Sequence, residues 1–146
     1  RLGYILARRE VIEELSAYAP PWSVSSLAIA AGEWIVKEGF PDLLDKALLF
    51  SECRRLWQAI DQLPHFRLRP TETHFFLVHC DHPSIPSGGA LKTLLARRYG
   101  LLVRDATNFG YPEPTIRIAT QRPEENDLLI EALTDISSST TLPCFE

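Results

Sequence analysis

Methionine is absent from this sequence, cysteine occurs three times, and no run of basic residues is longer than two. Each shortage excludes something. Cys53, Cys80 and Cys144 cannot all pair and show no Cys-x-x-Cys spacing, so a reducing cytoplasm is the simpler expectation. A net charge of −4 without a basic cluster leaves no footprint for nucleic acid or an acidic membrane. No apolar run approaches a membrane span, and no signal peptide is visible. With a first residue Arg1 and no methionine anywhere, the chain is expected to be a piece of a longer protein. The rest is ordinary soluble globular material, 45% hydrophobic and 23% charged, and 146 residues suffice for one good core.

The stretch that bears most on function holds two arginines thirteen residues apart, each attached to a short apolar run: Leu101-Leu102-Val103-Arg104 and Thr115-Ile116-Arg117-Ile118-Ala119. The turn formers from Asp105 to Pro114 are long enough for the chain to fold back, so that neighbouring strands present both guanidinium groups to one space. Arginine is a planar, permanently charged fork that binds carboxylate or phosphate bidentately, and set into apolar strands it calls for an anionic partner. With period-2 alternation, Ile116 and Ile118 share one face while Thr115, Arg117 and Ala119 share the other, and these small neighbours leave room for a ligand. The partner can be an anionic ligand or a structural carboxylate, for which Asp105, Glu113 and Glu124 are the candidates.

Around this pair the pattern predicts a mixed α/β chain. Leu2 to Leu6 reads as a strand, and Arg9 to Ala19 as a helix stopped by Pro20-Pro21. A second helix capped by Ser23 or Ser25, with Leu27, Ala31, Trp34 and Ile35 on one face, fades at Gly39-Phe40-Pro41, the best hinge. Leu49, Cys53, Leu56, Ile60 and Leu63 give the longest helix, from Pro41 to Leu63. Strands follow at Phe66 to Arg69 and Thr73 to Cys80, then a Pro/Ser/Gly loop, and a helix through Leu91, Leu94, Leu95 and Tyr99 closed by Gly100. After the arginine strands, Pro123-Glu124-Glu125 opens a helix buried through Leu128, Leu129, Ala132, Leu133 and Ile136, and Ser137 to Glu146 is a polar tail. The expected architecture is a mixed sheet of about three to five strands with helices packed on one face, preceded by a long interdomain helix.

Other constellations carry less. His74, Cys80 and His82 lie close in sequence with His79, but on a strand His79 faces away from the rest, and strand and turn roles explain all four. Ser87-Gly88-Gly89-Ala90-Leu91-Lys92-Thr93 resembles a phosphate loop but has Leu91 where a glycine must precede the lysine, and so reads as a helix start. Trp22, Trp34 and Trp57 occupy apolar helical positions typical of a core or interface.

Taken in order, Arg1-Leu2-Gly3-Tyr4, Pro21-Trp22-Ser23-Val24, Leu101 to Asp105, Asn108-Phe109, Ile116-Arg117-Ile118 and Pro123 to Asn126 resemble the C-terminal part of class I/II aminotransferases, the fold type I pyridoxal-phosphate enzymes. Within that family Pro21 to Val24, Thr73 to Leu77 and Arg104 to Phe109 are most similar to threonine-phosphate decarboxylases, and next to histidinol-phosphate aminotransferases. Residues 110–114 depart from the decarboxylase pattern.

The resemblance implies that residues 1–38 end a large cofactor-binding domain and residues 39–146 form a small domain that closes over substrate. It implies that Arg1 binds the phosphate of pyridoxal phosphate, shortly after a Schiff-base lysine that this chain lacks, so that the chain alone is inactive. It implies that Arg117 takes the substrate carboxylate, that Arg104 lines the pocket for a second anion, and that the enzyme is a homodimer acting on a small, phosphorylated amino acid. Decarboxylation of threonine phosphate, a step toward cobalamin, is the leading reading, and transamination the alternative. From another class, a non-catalytic domain that binds an anionic metabolite for regulation fits the same arginines, because fold alone specifies no reaction.

Overall fold

The computed structural model describes residues 2–39 and 45–142. Arg1, the Phe40-Pro41 part of the expected hinge, the first residues of the helix expected from Pro41, and Cys144 lie outside the described residues. By its internal contacts the chain divides into two units, Arg1–Leu43 and Leu44–Glu146.

The first unit holds α1 (Arg9–Ser16) and α2 (Ser26–Glu38), and neither helix buries a residue. Of the two candidate caps Ser25 serves α2, its side chain accepting from the Ala28 amide. Ahead of Pro20-Pro21, α1 stops at Ser16 and its continuation to Ala19 tightens into three-residue turns, with Ala17, Tyr18 and Ala19 donating to Glu14, Leu15 and Ser16. Leu2 to Leu6 forms no strand, against expectation. A strand needs a partner for its backbone groups, and none pairs with it among the described residues. Leu2 instead seats on Gly32, where an added Cβ would come within 2.6 Å of its Cδ2.

The second unit runs α3 (Lys46–Asp61), β1 (Phe66–Leu68), β2 (Phe75–Cys80), α4 (Gly88–Tyr99), β3 (Arg104–Asp105), a 3₁₀ turn at Thr107–Phe109, β4 (Thr115–Ala119) and α5 (Pro123–Ser138). The expected α+β class stands. The four strands lie in the order β1-β2-β4-β3, and every pairing is antiparallel rather than mixed. Register makes one face a core: Phe66 opposes Cys80, Val78 opposes Ile116, and Phe76 opposes Ile118. These side chains are buried against Leu56 and Ile60 of α3, Leu91, Leu94 and Leu95 of α4, and Leu129, Leu133 and Ile136 of α5, so the three helices cover the same face. The opposite face carries Arg67, Leu77, His79, Arg104 and Arg117, and none of the second unit's described helices packs on it.

The long helix leading into the sheet is α3, capped by Asp45, which accepts from the Leu48 amide at 2.9 Å. It belongs to the second unit's own core and is tied to α5: Asn126, 1% exposed, donates to Glu52, whose carboxylate also pairs with Arg55. That Arg55 hydrogen bond is the main reason the Glu52 carboxyl is held below its ordinary range. At 16 residues α3 is matched in length by α5. Gly100 closes α4 in the left-handed conformation its position suggested, φ +71. The tail is less polar in effect than its sequence, since Leu142 is buried in the core and His82 bonds the Ser139 carbonyl at 2.8 Å.

Candidate functional site

The fold-back between the two arginine runs is realised as the β3–β4 pair. Its register sets Arg104 directly opposite Arg117, on the sheet face away from the second unit's helices. Directly opposed residues of an antiparallel pair lie about 4.5 to 5.5 Å apart, and like charges there repel. Among the described residues no carboxylate pairs with either arginine. The structural alternative raised by the sequence therefore fails for its two nearest candidates. Asp105 accepts from the Thr107 amide and hydroxyl, and Glu113 accepts from the Gly88 amide at 2.7 Å at the start of α4. The Thr107 hydroxyl bond, with the Thr107 amide behind it, keeps the Asp105 carboxyl ionised below its usual range.

Each guanidinium rests instead on an aromatic ring. Arg117 lies 5.3 Å from the centre of the Phe75 ring, and Arg104 lies 5.3 Å from that of Phe109. Such stacking holds the fork in place and leaves its N–H edges free to bond an anion. Beside the pair opens a cavity of about 580 Å³ between the α4–β3 connection, β4 and the start of α5, with Arg104 and Arg117 in its wall. Its one carboxylate, Glu125, is taken by the Arg122 amide and guanidinium, which lower its pKa.

Sequence spacing identified both arginines and put Thr115, Arg117 and Ala119 on one face, as the register shows. It did not identify Phe75 and Phe109 as their supports. Phe75 could have been found from strand parity, because it pairs with Ala119 two residues along the Arg117 face. Phe109 sits in a turn-rich segment with no period to read. The histidines and cysteine set aside have structural roles. His79 bonds Thr115, His82 bridges the Ser84 amide and the Ser139 carbonyl, and burial raises the Cys80 thiol to about 11.

The chain is 28% identical over 138 residues to threonine-phosphate decarboxylase of Salmonella typhimurium, covering 93% of this chain and 36% of that protein. It is 30% identical over 139 residues to histidinol-phosphate aminotransferase of Methanopyrus kandleri, covering 93% of this chain and 34% of the relative. Among solved structures, L-threonine-O-3-phosphate decarboxylase from Porphyromonas gingivalis superposes with a TM-score of 0.75 at 30% identity, over 90% of this chain and 40% of that one. The chain is homologous to the C-terminal part of these enzymes. It thus spans little more than a third of the curated relatives' length. No family model matches it. Histidinol-phosphate aminotransferase from Clostridium acetobutylicum shares the fold, with a TM-score of 0.65 at 20% identity.

Proposed function

We propose that this chain is the C-terminal part of a pyridoxal-phosphate enzyme acting on a phosphorylated amino acid, with decarboxylation of L-threonine O-3-phosphate as the leading reaction. The observation that carries the reading is the opposed pair Arg104–Arg117, two ring-supported cations with no carboxylate partner among the described residues, on the sheet face away from the second unit's helices. A substrate with a carboxylate and a phosphate would neutralise both. Transamination of the histidinol-phosphate type is the second reading, favoured by relatives of that name at similar identity. A non-catalytic anion-binding module would share the arginines, but the matched relatives are named as enzymes.

The described residues fit the substrate's anions rather than the cofactor itself. Lys37, Lys46 and Lys92 are exposed and line neither sizeable cavity, and Arg1, the residue proposed to hold the cofactor phosphate, lies outside the described part. When bound by the whole enzyme, pyridoxal phosphate supplies the electron sink for the bond that breaks at Cα. In this reading Arg117 grips the carboxylate, half-buried on its strand, and Arg104, at the sheet edge beside a loop, takes the phosphate. Their joint grip fixes the substrate's rotation, and rotation decides whether carboxylate or proton departs.

The whole protein is read as a cytoplasmic homodimer on the family resemblance, and no helix among the described residues is long and apolar enough to cross a membrane. The isolated chain is expected to show no turnover and no borohydride-trappable cofactor adduct on its lysines. The deciding experiment gives the full-length protein O-phospho-L-threonine and, separately, histidinol phosphate, each with a 2-oxo acid as amino acceptor, and follows CO2 and the acceptor. CO2 with aminopropanol phosphate supports the leading reading, amination of the acceptor moves the assignment to the transaminase, and neither outcome with either substrate refutes both.

A further inference from the structure

The arginine pair is part of a longer row. Beyond the end of β1, the Arg69 amide donates to the Leu77 carbonyl at 3.1 Å, so the β1–β2 register continues by one residue and sets Arg69 opposite Leu77. Leu77 opposes Arg117, and Arg117 opposes Arg104. Arg69, Leu77, Arg117 and Arg104 therefore form one line across all four strands. Parity puts Arg69 on the face away from the second unit's helices, since Phe66 and Leu68 face the core and Arg67 and Arg69 do not.

Arg69 resembles the other two in environment as well. It lies 5.5 Å from the centre of the Tyr111 ring, and no carboxylate pairs with it among the described residues. Phe109 and Tyr111 belong to the same β3–β4 loop, so one loop supplies the rings for the two outer arginines of the row while Phe75 supports the middle one. Three cations in one row, each placed on a ring and none neutralised, oppose the fold by mutual repulsion unless anions join them. One carboxylate occupies one arginine fork. A phosphate, with three acceptor oxygens and a charge near −2, can use two.

We propose that Arg69 is a third anion-binding residue of this site and determines specificity for substrates that carry a phosphate as well as a carboxylate. The proposal rests on the function assigned above for the identity of the substrate, but not for the binding of anion.

The test uses the full-length protein. Calorimetric titration with O-phospho-L-threonine, L-threonine and inorganic phosphate is run on wild type, Arg69→Gln, Tyr111→Leu and Arg117→Ala, with circular dichroism to confirm folding. Arg69→Gln is expected to weaken O-phospho-L-threonine and inorganic phosphate about tenfold and L-threonine less than twofold, with Tyr111→Leu giving a smaller loss in the same direction. Arg69→Gln that binds all three probes as wild type does, while Arg117→Ala does not, overturns the inference and leaves the proposed function standing. Phosphate binding that depends on Arg69 in a protein that acts on no amino acid upholds the third arginine and overturns the function. No binding of any probe by wild type overturns both.

Discussion

Arg104 and Arg117 are one residue type on one sheet face, yet their settings differ in a way that separates their roles. Arg117 sits on β4, the strand between β2 and β3, half-buried among Thr115, Ala119 and Phe75, whereas Arg104 is exposed on the edge strand β3. A charge pair formed at the more buried position loses more when one partner is removed. In the full-length protein Arg117→Ala is therefore expected to weaken all amino-acid substrates, by about 2 to 5 kcal/mol where a desolvated pair is broken. Arg104→Ala should cost O-phospho-L-threonine more than L-threonine. Steady-state kinetics of both variants on both substrates, compared as transition-state free energies, provide the check. Equal losses for the two substrates in Arg104→Ala would remove its phosphate role. The residue types were legible in the sequence, and so was the face Arg117 would share. Their direct opposition was not, because a spacing of thirteen residues fixes no register until the loop geometry is known.

At the scale of elements, the loop between β3 and β4 decides where the outer cations rest, and it is anchored to the start of α4. Gly88 makes that anchor possible: a Cβ there would stand 2.6 Å from the Thr115 carbonyl and 2.7 Å from Asp105 Oδ1. Gly88→Ala must push α4 away from the loop, and the expected cost is about 1 to 3 kcal/mol in urea unfolding, together with weaker phosphate binding. Wild-type values for both would show that the close approach is dispensable. The same loop should be acid-sensitive. Because the Asp105 pKa is depressed by Thr107, its contribution to stability is present above the unfolded carboxylate value of about 3.9 and is lost as pH falls through the lower folded value. Glu52 and Asp81, depressed chiefly by Arg55 and Arg67, add losses of the same sign. Melting temperature followed downward from pH about 5 should drop, and Asp105→Asn should flatten part of that drop. An unchanged acid limb in the variant would assign the acid loss to the other carboxylates.

Elements with their own period or punctuation were the legible ones. β4 alternates cleanly, α5 opens at Pro123 with acidic residues behind it, and Gly100 ends α4. β3 shrank from the expected Leu101 to Arg104 to two residues because its first part has other work: the Leu101 amide closes α4 on the Leu95 carbonyl, and Leu101 and Val103 pack against the core. Strand-like composition at Leu2 to Leu6 met no partner among the described residues, and composition alone cannot supply one.

For the whole molecule, the two units differ in kind. Among the described residues the buried hydrophobic side chains all lie from Cys53 onward, in the second unit, where three helices share one face of the sheet. In the first unit Tyr4, Leu6, Tyr18, Trp22, Leu27 and Val36 are 81 to 98% exposed, and its helices of 8 and 13 residues bury nothing. Apolar surface of that extent belongs against a covering partner, which supports the proposal that residues 1–38 complete a larger cofactor-binding domain. Helices shorter than about 12 to 15 residues are marginal in water when no packing supports them. A peptide of residues 1–39 is therefore expected to show weak helicity that fades gradually with temperature. A fragment of residues 45–146 carries its own core and is expected to unfold in one cooperative urea transition. Circular dichroism of the two pieces, each measured alone, tests the division. A cooperative transition in the first piece, or a gradual loss of structure in the second, would show that the core does not divide at the boundary between the units, and that the anion site depends on more of the protein than the sheet that carries it.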